Sequence, residues 1–364
     1  MHSIVFLKKG EFCGWPANNG IWIWGNEILV GFIQALHKKK RGHTYEKDTA
    51  RRKFARSLDG GITWSIEDAC LHGIRGKAFN HNIPENVAKS PGVCSGGISF
   101  ANLNFALTFS RENNSTGPSH FYYTGNRGKQ WQGPFIFPDL GNRGIAARTD
   151  YIVEDDHSMM VFLTACKSDR KEGCVICART EDGGRSWHEI AQIGPEFEEE
   201  LSYSIMPSSV CLSDSHMLVI VRTRINNFYG LNVYISRDRG SSWEDIPVPE
   251  LGNLPGQRGE PIHNPPSLIK LYDGRLCLSY GVRTEPARMC IRFSSDMGLT
   301  WGDEIIVRGG DGAEWDMGYP RMVQRPDGMV ILIYYYNNAM LGKFPFRYIA
   351  STIFDPSSIS GNKK

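Results

Sequence analysis

The amino-acid sequence predicts an all-β protein, a six-bladed β-propeller of four-stranded antiparallel blades. Three observations predict it: a short turn motif that recurs along the chain, a pair of apolar strands that recurs between its copies, and an N-terminal strand with no blade of its own.

The turn motif reads Ser57-Leu-Asp59-Gly-Gly61-Ile-Thr63-Trp64. It returns as Thr180-Glu-Asp182-Gly-Gly184-Arg-Ser186-Trp187, Ser236-Arg-Asp238-Arg-Gly240-Ser-Ser242-Trp243 and Ser294-Ser-Asp296-Met-Gly298-Leu-Thr300-Trp301. A fifth copy, Thr124-Gly-Asn126-Arg-Gly128-Lys-Gln130-Trp131, carries Asn for Asp, and successive copies start 67, 56, 56 and 58 residues apart. A fixed period of that length means an array of similar units. Within each copy Asp bonds the backbone of a tight turn, Gly supplies a positive φ, Ser or Thr closes the loop, and Trp opens the next strand.

Between the boxes lies an apolar strand, a tight turn and a second apolar strand: 17–34, 149–167, 207–224, 266–283 and 320–338. Short β-branched and aromatic runs bounded by Asp-Gly-type turns are strand signals, and no long helical period competes with them. Each unit is therefore four strands, with the box between the third and fourth. The blades fall near 15–70, 79–138, 143–195, 202–250, 264–308 and 318–354. The last offers only three strands, so SIVFLKK at the N-terminus is expected to supply its fourth and protect the open edge. The reading is one propeller over 1–358 with a polar tail at 359–364.

The chain has 364 residues, 41% of them hydrophobic, and a net charge of +2. That charge is too small to imply nucleic acid or an acidic membrane surface as the main partner, and neither is expected. No run approaches the roughly 20 apolar residues of a membrane span, and the N-terminal apolar segment is too short for a signal peptide. The chain reads as cytoplasmic, or as secreted or periplasmic if it is a mature form. Nine scattered cysteines argue against a disulfide framework and are expected as reduced, packed thiols. Cys174 and Cys177 are three apart in a strand and so face opposite sides. No metal-ligand spacing, Walker loop or dinucleotide fingerprint appears, and no metal or cofactor is expected.

The repeated S-x-D-x-G-x-T-W boxes with a six-unit period resemble the sialidase superfamily over nearly the whole chain. Boxes lie away from the site in that family, so function rests on the inner strands. The resemblance implies a Tyr nucleophile, matched by Tyr319 in MGYPRM, and an Arg clamp for a sugar carboxylate, a role that suits a planar guanidinium fork. Arg222 or Arg224 in VIVRTR and Arg283 or Arg288 in the fifth blade match two of its members, with Arg148 in AARTD as a further contact. The first Arg of the family is replaced by Gly14-Trp15-Pro16-Ala17-Asn18-Asn19-Gly20, where Asn18 is a candidate ligand. The Glu expected to assist the Tyr is replaced by Met206. His43 and Asp48, in the loop where the family keeps its acid/base Asp, together with Glu260, His263, Glu314 and Asp316, are candidate acids or bases. His81, in the polar cluster Phe79-Asn80-His81-Asn82, and His263 are candidate ligands for sugar hydroxyls.

Three functions follow. The first is an exo-acting hydrolase for a carboxylated sugar on an anionic oligosaccharide or glycoconjugate; a Tyr nucleophile avoids setting a carboxylate against the substrate's own charge. The second is a lyase that cleaves uronic-acid glycans by Tyr/His β-elimination, which needs no Glu partner for the Tyr. The third is a non-catalytic glycan-binding propeller in which Trp22, Trp24 and Tyr334 to Tyr336 stack on sugar rings.

Overall fold

The computed structural model describes residues 1–359 except 39–42, 70–89, 143, 253–263, 339 and 341–345. Six antiparallel sheets form the blades of a six-bladed β-propeller, and helix among the described residues is limited to one turn and two short 3-10 segments. The chain divides into two compact units. One comprises 1–69, 229–231 and 247–364; the other comprises 70–228 and 232–246.

The first unit holds the first, fifth and sixth blades. In the sixth, Gly318–Gln324, Val330–Tyr336 and Tyr348–Phe354 are joined by the N-terminal strand His2–Phe6, which pairs antiparallel with Tyr348–Phe354. The expected closure is therefore present. The fifth blade orders Ser267–Lys270, Leu276–Val282, Arg288–Ser294 and Ile305–Gly309 in sequence. The first blade pairs Glu27–Leu36 with Arg51–Ser57 and then Ser65–Asp68, and its inner strand is split into Glu11–Gly14 and Ile21–Trp24.

In the second unit, the second blade shows Ala106–Arg111, Ser119–Thr124 and Gln132–Phe137, and the strand expected near Phe79 lies outside the described residues. The third blade has a split inner strand, Ile145–Ala146 and Tyr151–Val153, followed by Met159–Cys166, Glu172–Thr180 and His188–Ile193. The fourth runs Tyr203–Cys211, Met217–Ile225, Phe228–Ser236 and Glu244–Ile246.

Middle strands read as unbroken apolar runs because both their faces are covered. Every residue of Val330–Tyr336 is buried, as is every residue of Met159–Cys166. Each buried Val, Leu, Ile or Phe side chain contributes roughly 1.5–3 kcal/mol. This corrects one expectation: Tyr334, Tyr335 and Tyr336 are fully buried and Trp22 is buried, so none of these four presents a ring to a sugar, and Trp24 is half-covered. Cys174 and Cys177 sit in two different apolar clusters, as their opposite faces require. Cys211 departs from the packed thiols, for it is exposed at the end of its strand.

The boxes form the turns read from the sequence. Ser57 Oγ donates to Asp59 Oδ1 at 2.7 Å, the Gly61 and Thr63 amides donate to Ser57 Oγ and Asp59 Oδ1, and Trp64 Nε1 donates to the Gly61 carbonyl. The same bonds recur around Asp238 and Asp296. Gly61 has φ 91°, and a Cβ there would lie 2.1 Å from Ile331 Cδ1, so both backbone and packing demand glycine.

The inner strands of the first, third, fourth and sixth blades are broken at mid-length. Trp15, Met206 and Tyr319 each adopt a positive φ (63°, 57° and 51°) and each precedes a proline. Proline removes a ladder donor, and the pairing register shifts across Met206-Pro207 and Tyr319-Pro320. A bulky residue held left-handed costs about 1–3 kcal/mol, and such residues gather where the surrounding fold over-determines them, often at functional sites.

Candidate functional site

The chain that opens the sixth blade is shaped by one buried side chain, Asn337. Its Oδ1 accepts from the amides of Ala313 and Glu314, and its Nδ2 donates to the carbonyls of Glu314 and Asp316. That template sets Trp315 and Asp316 immediately before Tyr319. Across from it, buried Asn264 donates to the Gly281 carbonyl and accepts from the Tyr319 amide at 3.2 Å, fixing the left-handed Tyr319 to the fifth blade.

Asp316 is completely buried, and four side chains converge on it. Tyr335 donates its hydroxyl to Oδ1 at 2.6 Å, and Arg347 donates Nε to Oδ2 at 3.1 Å. Arg283 Nη2 lies 4.0 Å from Oδ1. His43 Nδ1 lies 2.8 Å from the same oxygen, an ion-pair distance, with the ring turned off the ideal hydrogen-bond line. Catalytic hydrogen bonds are commonly misaligned before substrate arrives.

Burial by itself would raise the Asp316 pKa. The close approach and charge of His43, followed by the charges of Arg347 and Arg283, outweigh burial and hold the carboxyl well below its usual range. Arg347 is wholly buried and also meets Glu314 Oε2 at 2.6 Å, so each buried charge is paired. Burial pushes the Tyr335 phenol far upward, which keeps its proton in place as a donor.

Above this buried base the site is aromatic and partly open. The His43 imidazole stands between Trp15 and Trp315, with centroids 5.4 and 6.0 Å away, and its side chain is 41% exposed. The Tyr319 ring packs against Tyr335 at 5.9 Å. Arg283 lies over both Trp315 and Tyr319, donates to the Met317 carbonyl and to the Tyr335 hydroxyl, and has no hydrogen bond from Nη1 among the described residues. With Nδ1 turned to Asp316, His43 Nε2 has no hydrogen bond among the described residues and is the nitrogen suited to exchange a proton with a ligand.

The structure thus brings together four sequence candidates, His43, Tyr319, Arg283 and Asp316, with Glu314 joined to them through Arg347. Asp48 stays apart: it is exposed in the 3-10 turn Lys47–Thr49, with no ion pair among the described residues. Asn18 lies in the helical turn Pro16–Asn19, beside Ala17, whose carbonyl accepts from Arg321. Arg288 bonds Glu304 within the fifth blade.

Arg148, Arg222 and Arg224 belong to the second unit. Arg148 is buried against Glu172 and the Ala146 carbonyl, Arg222 meets the Tyr203 hydroxyl, and Arg224 bonds the Asn226 carbonyl. Glu260, His263 and His81 lie outside the described residues.

Sequence reasoning missed Arg347, Asn337 and the bridging hydroxyl of Tyr335. Tyr335 lies in ordinary strand sequence and Arg347 just before the strand Tyr348–Phe354, and nothing in their neighbours marks them. The aromatic Trp15 was visible only as part of a motif lacking an expected Arg. Among the described residues no group of three or more His, Cys, Asp or Glu is placed to hold a metal ion.

The family described as BNR repeat-like domain matches residues 161–332. No curated protein matches the sequence. Among solved structures, a protein of unknown function from Dyadobacter fermentans is 19% identical with a TM-score of 0.71, each chain covered to 97%. The intramolecular trans-sialidase from Ruminococcus gnavus, in complex with oseltamivir carboxylate, is 12% identical with a TM-score of 0.59, covering 97% of this chain and 95% of that one. The α-L-arabinofuranosidase of Fusarium graminearum, in complex with an iminosugar inhibitor, is 11% identical with a TM-score of 0.59, covering 96% and 98%. At these identities the likeness is one of fold. The chain is therefore similar to a BNR repeat-like domain over 161–332 and shares the β-propeller fold of these solved structures.

Proposed function

We propose that the protein is an exo-acting glycoside hydrolase for a carboxylated sugar, with His43 as acid/base, Asp316 orienting it, Tyr319 as nucleophile and Arg283 Nη1 meeting the substrate carboxylate. The observation that carries this reading is the contact of a partly exposed imidazole with a buried, ionised aspartate, set beside a strained tyrosine. In the first step the Tyr319 oxygen bonds the anomeric carbon and gives its proton to solvent, while His43 protonates the departing glycosidic oxygen. Water then attacks the anomeric carbon of the glycosyl-tyrosine, His43 takes the water's proton, and the departing Tyr319 oxygen regains a proton from solvent, which restores the phenol. The sialidases and the arabinofuranosidase of similar fold make glycoside cleavage the reaction class to test first.

One observation favours a second reading, a uronate lyase. The carboxylates described around Tyr319 are engaged by Arg347 and His43, leaving none to activate the phenol, and Tyr/His elimination needs none.

The test is a screen of purified protein against fluorogenic sialosides, fluorogenic arabinofuranosides and uronic-acid polysaccharides, with Tyr319→Phe as control. Fluorophore release from the sialoside that is lost in the variant supports the hydrolase. Release from the arabinofuranoside instead overturns the carboxylate assignment. Ultraviolet absorbance from an unsaturated uronate moves the assignment to the lyase, and silence on all three overturns both enzymatic readings for these sugars.

A further inference from the structure

An acid/base must hold its proton in one step and release it in the next. A histidine beside a lone buried carboxylate does the first too well, because an uncompensated anion in low dielectric stabilises the imidazolium strongly. Asp316 is not left alone. The charged and titratable groups facing it are Arg347 from the approach to the last strand, Arg283 from the fifth blade, Tyr335 from the strand beneath, and His43 from the first-blade loop, with Glu314 reached through Arg347. Tyr335 shares Oδ1 with His43, while Arg347 occupies Oδ2.

We infer that Tyr335 and Arg347 are positioning residues that lock the Asp316 carboxylate and draw off part of its negative charge, so that His43 is aligned yet can give up its proton. Tyr335 also ties this pair to Arg283, since its oxygen accepts from Arg283 Nη2 at 2.7 Å while its proton goes to Asp316. The inference rests on the reading of His43 as acid/base. Neither residue touches the open face of the site, for both are fully buried.

The experiment follows the His43 ring by NMR across pH in the full-length protein and in three variants. Tyr335→Phe removes one hydroxyl donor to Asp316. Tyr334→Phe is the matched control, because it removes an equally buried hydroxyl whose partner is Thr352. Asp316→Asn removes the carboxylate itself.

The expected result is a His43 titration midpoint that rises by roughly half a pH unit or more in Tyr335→Phe, the size of one lost hydrogen bond. It stays in place in Tyr334→Phe and falls in Asp316→Asn. On any glycoside the parent cleaves, Tyr335→Phe lowers kcat about tenfold with little change in KM, as loss of an outer-shell partner does. A midpoint unmoved by Tyr335→Phe but lowered by Asp316→Asn overturns the positioning role and leaves the acid/base reading standing. A midpoint unmoved by Asp316→Asn overturns the acid/base pairing and the inference with it. Arg347 is tested beside these by Arg347→Lys, which keeps a cation at the same place and is expected to move the midpoint upward but less than Tyr335→Phe does; a midpoint unmoved in Arg347→Lys overturns the role given to the Arg347 fork.

Discussion

Asp316 and the aspartates of the boxes are the same side chain put to opposite uses. Asp59, Asp238 and Asp296 accept bonds from residues no more than four positions away and remain at least partly exposed. Asp316 is sealed from solvent, and its hydrogen-bond partners Tyr335 and Arg347 lie 19 and 31 residues away, with His43 far earlier in the chain. A box aspartate needs only its own turn. Asp316 needs the first, fifth and sixth blades assembled, the kind of rigid support that the orienting role proposed for it requires.

Breaking that contrast at Asp316 has the largest expected effect. Asp316→Asn is expected to reduce kcat on a responsive glycoside by about 10³- to 10⁴-fold, the scale seen when the carboxylate behind a catalytic histidine is neutralised. The check is a steady-state assay beside a thermal melt that establishes the folded fraction. Loss below tenfold in folded protein would mean that His43 does not depend on Asp316.

Arg347 sharpens the comparison from the stability side. It is wholly buried between two carboxylates, and its removal as Arg347→Met leaves Asp316 and Glu314 without their shared cation. Breaking a buried pair from one side costs about 3–5 kcal/mol. Urea unfolding monitored by tryptophan fluorescence is the measurement, with a fall in midpoint at unchanged slope as the expected outcome. The matching change at an edge is smaller: Asp296→Ala removes three local bonds at a partly exposed turn and is expected to cost about 1–2 kcal/mol, with activity kept.

The same distinction explains what the sequence revealed. Box turns, strand alternation and the spare N-terminal strand are local patterns, so the blade count and the pairing of His2–Phe6 with Tyr348–Phe354 were legible from residue order alone. Tyr319, His43, Arg283 and Asp316 could be named as candidates from residue type and blade position. Their joining could not be read, since it runs through Tyr335 and Arg347, which look like core tyrosine and strand-edge arginine. Arg148 misled because a buried ion pair with Glu172 and a substrate-facing guanidinium share one sequence signature. The exposed stacking face imagined for Tyr334 to Tyr336 failed because a middle strand of a blade is covered on both sides.

The smallest expected effect lies in the acid limb of stability. Hydrogen bonds from Thr63 lower the Asp59 pKa from an ordinary 3.8 to about 2, and those from Ser242 do the same for Asp238. A carboxylate whose folded pKa is depressed stabilises the fold fully above its unfolded value and loses that contribution as pH falls through the folded one. The box contribution is therefore complete above about pH 4 and fades toward about pH 2. The second blade shows how to remove the charge while keeping the turn, because Asn126 accepts from the Gln130 amide at 2.9 Å and from Thr124 Oγ1 at 2.8 Å. Asp59→Asn with Asp238→Asn keeps the turn but not the charge, and is accordingly expected to lower the melting temperature modestly near neutral pH and to make its decline between pH 4 and pH 2 shallower. An equal decline in parent and double variant would assign acid lability to other carboxylates, such as buried Asp316, whose pKa is also held below its usual range.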